Sequence, residues 1–306
     1  MFFCGDYRVA DDERTGWGIM ECPDGCAPEC GRIAMRDGVE IFYRSWIRDR
    51  ADAVIVIPGL GAHGGWFIEF GNRLAAAGVT VLIPDLRGFG RSGGKRGHVR
   101  HASLLLDDLS AVIYHFRANR LADKLHLLGH SMGAVLATHL ATRHDLTTLA
   151  LVNPWLEDQT GTPGPIVAAV AIEGLFGSTH RWRLGGGLDR MTDNPEARVY
   201  LEHDSYWVRE ESASFFFQIL RLRMRMLKAA RRVQTPAIVV QTGGDLIVRN
   251  AASRRLYEQL GTPQKRWVEP PHVFHDFEFA DSLGPVVDPL LKWFAGERER
   301  SAIPGE

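Results

Sequence analysis

Lys124-Leu125-His126-Leu127-Leu128-Gly129-His130-Ser131-Met132-Gly133-Ala134-Val135-Leu136-Ala137-Thr138-His139-Leu140 decides how this chain folds. The segment before Gly129 has the apolar content of a buried strand, and the segment after Gly133 has the composition of a helix. Between them stands G-x-S-x-G. A strand, a sharp glycine-flanked turn and a helix make a nucleophile elbow, which lifts a serine hydroxyl above the sheet. The flanking glycines answer the crowding of neighbouring backbone. The helix N-terminus below the serine favours negative charge there. A three-residue pattern in a chain with 32 glycines is weak by itself; the strand and helix on either side give it weight.

Outward from the elbow the same rhythm repeats. Upstream, Asp37-Gly38 separates two apolar-alternating runs, Ile33–Met35 and Val39–Trp46, and predicts a hairpin. Ala53–Ile57 and Val79–Ile83 are continuous apolar runs, as in strands covered on both faces. A helix is expected from Phe67 to Ala77, stopping at Gly78, and another from Ser103 to Asn119, with Ser103 as its cap ahead of Asp107 and Asp108. Downstream, Thr148–Val152 follows as a strand, then Ala237–Gln241 and Lys265–Val268, with a closing helix from Val286 to Phe294 and a polar tail from Gly296. Strands alternating with helices predict an α/β fold with a mostly parallel, doubly wound sheet. The rhythm breaks at Asn153-Pro154. Residues 155–233 carry no clear strand and read as an inserted helical lid between core segments 33–154 and 234–296. Within it, Phe215-Phe216-Phe217 reads as lid core or pocket lining, and the basic run Arg221, Arg223, Arg225, Lys228, Arg231, Arg232 as a solvated face.

The chain has 306 residues, enough for one large α/β domain with an insertion. A net charge of -1 points away from nucleic acid and from an anionic membrane surface as the main partner. No apolar run approaches membrane-spanning length, and the first residues lack a signal-peptide pattern, so cytoplasmic residence is expected. A membrane-associated substrate remains compatible with this. Cys4, Cys22, Cys26 and Cys30 all fall in the first 32 residues, which read as an N-terminal extension. The spacing C-x-x-x-C-x-x-x-C is not a usual zinc pattern, so free thiols or a disulfide are favoured over a metal site.

A serine hydroxyl needs a base, and the base needs an anion. In folds with this elbow they follow in the order Ser, Asp or Glu, His. Gln241-Thr242-Gly243-Gly244-Asp245 leaves a strand through a turn and puts Asp245 at the sheet's carboxyl edge; Asp276 and Asp281 compete. Pro270-Pro271-His272-Val273-Phe274-His275 holds two candidate bases. His272, nearer the strand end, is the expected one, with His275 the runner-up. The Met132 N–H, and the Leu60 N–H from the loop Pro58-Gly59-Leu60-Gly61-Ala62-His63, are the expected oxyanion donors.

These stretches resemble the α/β-hydrolase superfamily, and within it the lysophospholipase and monoacylglycerol lipase group, also called serine aminopeptidase-like. The resemblance rests on Gly59–His63, on Asp85-Leu86-Arg87-Gly88-Phe89-Gly90-Arg91-Ser92 followed by Arg96-Gly97-His98-Val99, on the Gly129–Gly133 elbow, on Thr192–Glu196 and on His272–His275. It spans roughly residues 33–294 and implies the α/β-hydrolase fold. In that group the first histidine of the last loop is catalytic, which favours His272. Three departures stand out: Pro58 where His is usual, Asp204-Ser205-Tyr206-Trp207 in place of Asp-Pro-Leu, and the cysteine-rich start. The expected activity is hydrolysis of fatty acyl esters such as monoacylglycerol or lysophospholipid by Ser131, Asp245 and His272, with no metal or organic cofactor. A lactone, amide or polyester hydrolase with the same triad, or a non-catalytic ligand-binding protein, are the alternatives.

Overall fold

The computed structural model describes residues 27–48, 52–119 and 123–296. Cys4, Cys22, Cys26 and the tail beyond Gly296 lie outside them. The Asp37-Gly38 hairpin forms as expected: β1 (Glu29–Ala34) pairs antiparallel with β2 (Glu40–Trp46), Ile33 opposite Ile41, and Gly38 takes a φ of 81°. Pairing starts earlier than the apolar pattern indicates, so Cys30 lies in a strand, opposite Arg44, rather than in a loose extension. Ladder bonds are made by backbone and do not require apolar side chains. Gly31 also leaves room for the Tyr43 ring, whose hydroxyl would lie 2.3 Å from a Cβ there.

Strands β3 (Asp52–Ile57), β4 (Thr80–Pro84), β5 (Lys124–His130), β6 (Thr148–Val152), β9 (Ala237–Val240) and β10 (Lys265–Val268) complete an eight-stranded sheet in the order β1-β2-β4-β3-β5-β6-β9-β10. From β4 to β10 every pairing is parallel. Side chains alternate between two cores, because successive residues of a strand point to opposite faces. Ala53, Ile55 and Ile57 join the core under α2 (Ala102–Ala118) and α3 (Met132–Leu140), while Val54 and Val56 join the core under α1 (Ile68–Ala76) and α9 (Gly284–Phe294). Each fully buried aliphatic side chain contributes roughly 1.5–3 kcal/mol.

α2 begins at Ala102, so Ser103 is not its cap; the Ala102 N–H is satisfied at 3.2 Å by the Gln218 side chain, a tertiary contact. α8 (Asn250–Gln259) links β9 to β10.

The stretch between β6 and β9 contains α4 (Gly164–Leu175), β7 (Arg181–Trp182), α5 (Leu188–Met191), α6 (Pro195–His203), β8 (Glu211–Ser212) and α7 (Ala213–Ala230). The two-residue strands β7 and β8 pair antiparallel, a ladder too short to leave a pattern in sequence. α7 packs on α3, α2 and α8, and Phe215, Ile219, Leu222 and Met226 enter the main core. The last helix of the expected helical insertion, α7, also packs on α4 of that insertion and so joins it to the core. The phenylalanine triplet divides, with Phe215 buried against Phe89 and Phe216 and Phe217 facing a cavity. Among the described residues, no helix is long and apolar enough to cross a membrane.

Candidate active site

Parallel strands end on one edge, so the residues that follow β3, β5, β6, β9 and β10 converge there. Ser131 follows β5 directly. Its backbone is held at φ 53° and ψ -115°, an unfavourable region for a residue with a Cβ, by a hydrogen bond from its N–H to Val152 O at 2.9 Å. The glycines are sterically required. A Cβ on Gly133 would lie 2.1 Å from Ile57 O, and one on Gly129 would lie 2.3 Å from Gly133 O.

His275 reaches Ser131, with Nε2 2.9 Å from Oγ, and its Nδ1 lies 2.7 Å from Asp245 Oδ2. This corrects the choice of His272, whose side chain is exposed and whose φ is 60°. The reason lies in how the loop after β10 crosses the Asp245 turn. Gly243 N–H donates to Pro270 O and Gly244 N–H to Val273 O, so residues 270–273 are spent passing over the two glycines. The chain arrives above Ser131 only at His275. Nearness to the strand end in sequence is not nearness in space.

Asp245 is placed by its own turn: Oδ1 accepts from the Ile247 and Val248 N–H groups at 2.8 Å each, and Oδ2 also accepts from Gln241 Nε2. Burial alone would push its pKa up, but the charge and hydrogen bond of His275 and those amides hold it below the usual carboxylate value. Burial likewise works against the His275 imidazolium, and Asp245 outweighs it, leaving His275 above the ordinary histidine value. Of the competing acids, Asp281 accepts from Asn194, whereas Asp276 is buried 3.9 Å from His130 Nε2 and is pushed up to about 6 by burial.

Sequence reasoning missed two residues that hold His275. The carbonyl of His275 accepts from His130 Nε2 at 3.0 Å and from Asn153 Nδ2 at 2.7 Å. The Asn153 Oδ1 accepts from Thr242 N and Oγ1, so one amide ties together the ends of β6 and β9 and the base loop. His130 is fully buried, and burial together with the nearby His275 charge lowers it to about 3, so it stays a neutral donor. Both had been in view, His130 inside the elbow and Asn153 where the strand rhythm stops. A polar side chain closing a buried strand before proline was the available signal. His130, His275 and Asp276 offer ligand atoms within 4.8 Å of one another, a spacing a metal accepts. Yet both His275 nitrogens and His130 Nε2 are engaged in hydrogen bonds.

Met132 is the first residue of α3, where an N–H has no acceptor within the helix. The loop Pro58–His63 runs beside it, with a Cβ on Gly59 only 3.3 Å from that of Ser131, and Leu60 lines the same cavity as Ser131. The loop is braced from behind. His63 Nε2 donates to Asp204 Oδ2 at 2.8 Å, Trp66 Nε1 donates to the same oxygen, and Gly61 O accepts from Val208 N–H. Asp204-Ser205-Tyr206-Trp207 thus keeps its aspartate as an anchor, and Trp207 lines the cavity. The Asp85–Ser92 motif supports the same platform: Asp85 accepts from Gly64 N–H and Arg44, and Arg87 pairs with Asp108 and Asp37.

The cavity holds about 170 Å³ between the sheet edge and the inserted segment. Val170, Met191, Phe216 and Ile247 give it apolar walls. Arg223, expected on a solvated face, lines it instead; its guanidinium lies 4.3 Å over the Trp155 ring and donates to Leu156 O and Asp158.

Comparison with known proteins bears on the family and the fold. A profile of the serine aminopeptidase S33 family matches residues 48–281. A monoacylglycerol lipase of Mycolicibacterium smegmatis is 24% identical over 84% of this chain and 93% of its own length. Phospholipase YtpA of Bacillus subtilis is 26% identical over 76% of this chain and 91% of its own. The fold is that of the monoglyceride lipase of Saccharomyces cerevisiae, solved with a substrate analogue: TM-score 0.80, 18% identity, 89% of this chain and 96% of that one.

Proposed function

The chain belongs to the serine aminopeptidase S33 family, as an α/β-hydrolase of the monoacylglycerol lipase-like group and an ester hydrolase, and from that premise we propose that it cleaves fatty acyl esters with Ser131 as nucleophile, His275 as base and Asp245 as its anion. The observation that carries this reading is the unbroken chain of two hydrogen bonds, Asp245 to His275 to Ser131. His275 takes the Ser131 proton as Oγ attacks the ester carbonyl, then returns it to the departing alcohol. Asp245 keeps Nδ1 protonated and Nε2 free to accept. The Leu60 and Met132 N–H groups bind the oxyanion. Water, deprotonated by His275, then releases the acid and restores Ser131. The apolar cavity walls support an acyl chain as the group held beside Ser131, as in a monoacylglycerol or lysophospholipid.

The test is turnover of a p-nitrophenyl ester series by wild type and three variants. Ser131→Ala and His275→Ala are expected to lose about 10³-fold or more in kcat. His272→Ala should stay within about threefold of wild type, as expected for an exposed side chain away from the reacting atoms. Loss with His272→Ala and retention with His275→Ala would overturn the assignment of the base.

A further inference from the structure

Glu211 is a buried acid in the cavity wall for which the hydrolytic steps have no use. Its residue is 2% exposed, whereas Glu210 before it faces solvent. Its burial and its place in the cavity lining turn the Glu211 side chain inward. It lines the cavity that Ser131 opens into, near Val208 and Phe216. The surroundings are apolar: Val170, Ala213 and Phe216 cluster there with Leu60 and Trp182 against them, and Trp182 is the cross-strand neighbour of Glu211. Among the described residues, no ion pair and no hydrogen bond from another residue engages its carboxyl. Arg181 acts on it only through its charge, its guanidinium being bound to the carbonyls of Glu210 and Arg96.

Burial raises Glu211 well above the usual carboxylate value, and the Arg181 charge offsets only part of that. Burial thus favours the protonated carboxyl, which offers one O–H to donate and a carbonyl to accept. Its own backbone N–H is the one hydrogen bond given to this carboxyl, and hydrogen-bonding capacity left unused in an apolar wall costs stability. A ligand group that completes its hydrogen bonds removes that cost. Arg183, Arg209 and Arg223 also line the cavity, which disfavours a cationic ligand group. A neutral hydroxyl fits both facts.

We propose that Glu211 sets specificity for esters that carry a hydroxyl group, which its carboxyl hydrogen-bonds inside the cavity. This rests on the ester-hydrolase reading above. The hydroxyl has two sources, a hydroxylated acyl chain or a polyol leaving alcohol, and two substrate pairs separate them. The acyl pair is the p-nitrophenyl esters of decanoic and ω-hydroxydecanoic acid. The alcohol pair is ethyl decanoate and decanoylglycerol. In one pair, wild type is expected to favour the hydroxylated member by about tenfold or more in kcat/KM, as sites built to hydrogen-bond a hydroxyl do. Glu211→Leu should erase that ratio while keeping turnover of the plain ester. Glu211→Gln, which keeps a donor and an acceptor, should retain most of it. Equal use of both members in both pairs by wild type overturns the proposal without any variant, and so does a preference that survives Glu211→Leu. Labelling of Ser131 by a fluorophosphonate probe reports that each variant is folded; if Glu211→Leu is not, wild type and Glu211→Gln decide. Wild type that neither labels nor turns over any ester fails the hydrolase reading itself, a different result from a labelled enzyme with flat ratios.

Discussion

In the proposed mechanism His275 must be neutral to accept the Ser131 proton, so activity is expected to fall as pH drops through its pKa. Asp245 holds that pKa above the ordinary histidine value of about 6.5. The acid limb of kcat/KM should therefore lie above pH 6.5. In Asp245→Asn the raising charge is gone while burial, which lowers the pKa, remains. The limb should then move to lower pH, and kcat should fall on the order of 10⁴-fold as the tautomer is lost. A pH–rate profile of both proteins checks this, and a limb unmoved in Asp245→Asn would mean that another group titrates. At this scale the serine and the acid were legible in sequence, because each sits on a turn whose glycines announce it. The histidine was not. Two histidines three positions apart differ only in what the backbone does between them, and that is set by the hydrogen bonds that Gly243 and Gly244 N–H of the opposing turn donate to Pro270 O and Val273 O.

Among the elements, the sheet's carboxyl edge is held together by Asn153. Its amide bonds the His275 carbonyl and the Thr242 backbone and hydroxyl, so it joins the end of β6 to the end of β9 and to the loop after β10. Asn153→Ala leaves the Thr242 N–H unpaired, at about 1–3 kcal/mol, and removes one of the two bonds to the His275 carbonyl, which keeps His130, and one of the two made by the Thr242 hydroxyl, which keeps Phe274 O. We expect a stability loss of roughly 2–4 kcal/mol in urea unfolding, with kcat reduced about tenfold or more as His275 loses its position. A variant as stable as wild type would show that the strand ends are held by packing alone. The strands were legible because the buried ones are continuous apolar runs, and α1 was legible to its end because it stops at Gly78. The β7–β8 ladder was not, since two residues carry no period. The start of α2 was misplaced because its first N–H is satisfied by Gln218, distant in the chain.

For the whole molecule, the decisive feature is the cavity enclosed between a rigid sheet edge and the segment that follows β6. Val170, 4% exposed on α4, forms part of its wall. Val170→Trp would fill the acyl space without touching the triad. The expected result is a fall of about tenfold or more in kcat/KM for p-nitrophenyl decanoate relative to acetate, because an overfilled pocket rejects the longer chain. An unchanged ratio would place the acyl chain elsewhere. Sequence alone determined the doubly wound α/β sheet, the elbow with Ser131 and the turn with Asp245, because hydrophobic period and glycine positions are local properties of the chain. Tertiary structure decided that His275 and not His272 meets Ser131, that α7 joins the inserted segment to the core, that Arg223 faces inward and that Glu211 is buried in the cavity wall. Each of these depends on contacts between segments far apart in the chain, and no local pattern encodes which distant backbone amide, carbonyl or ring a side chain will meet.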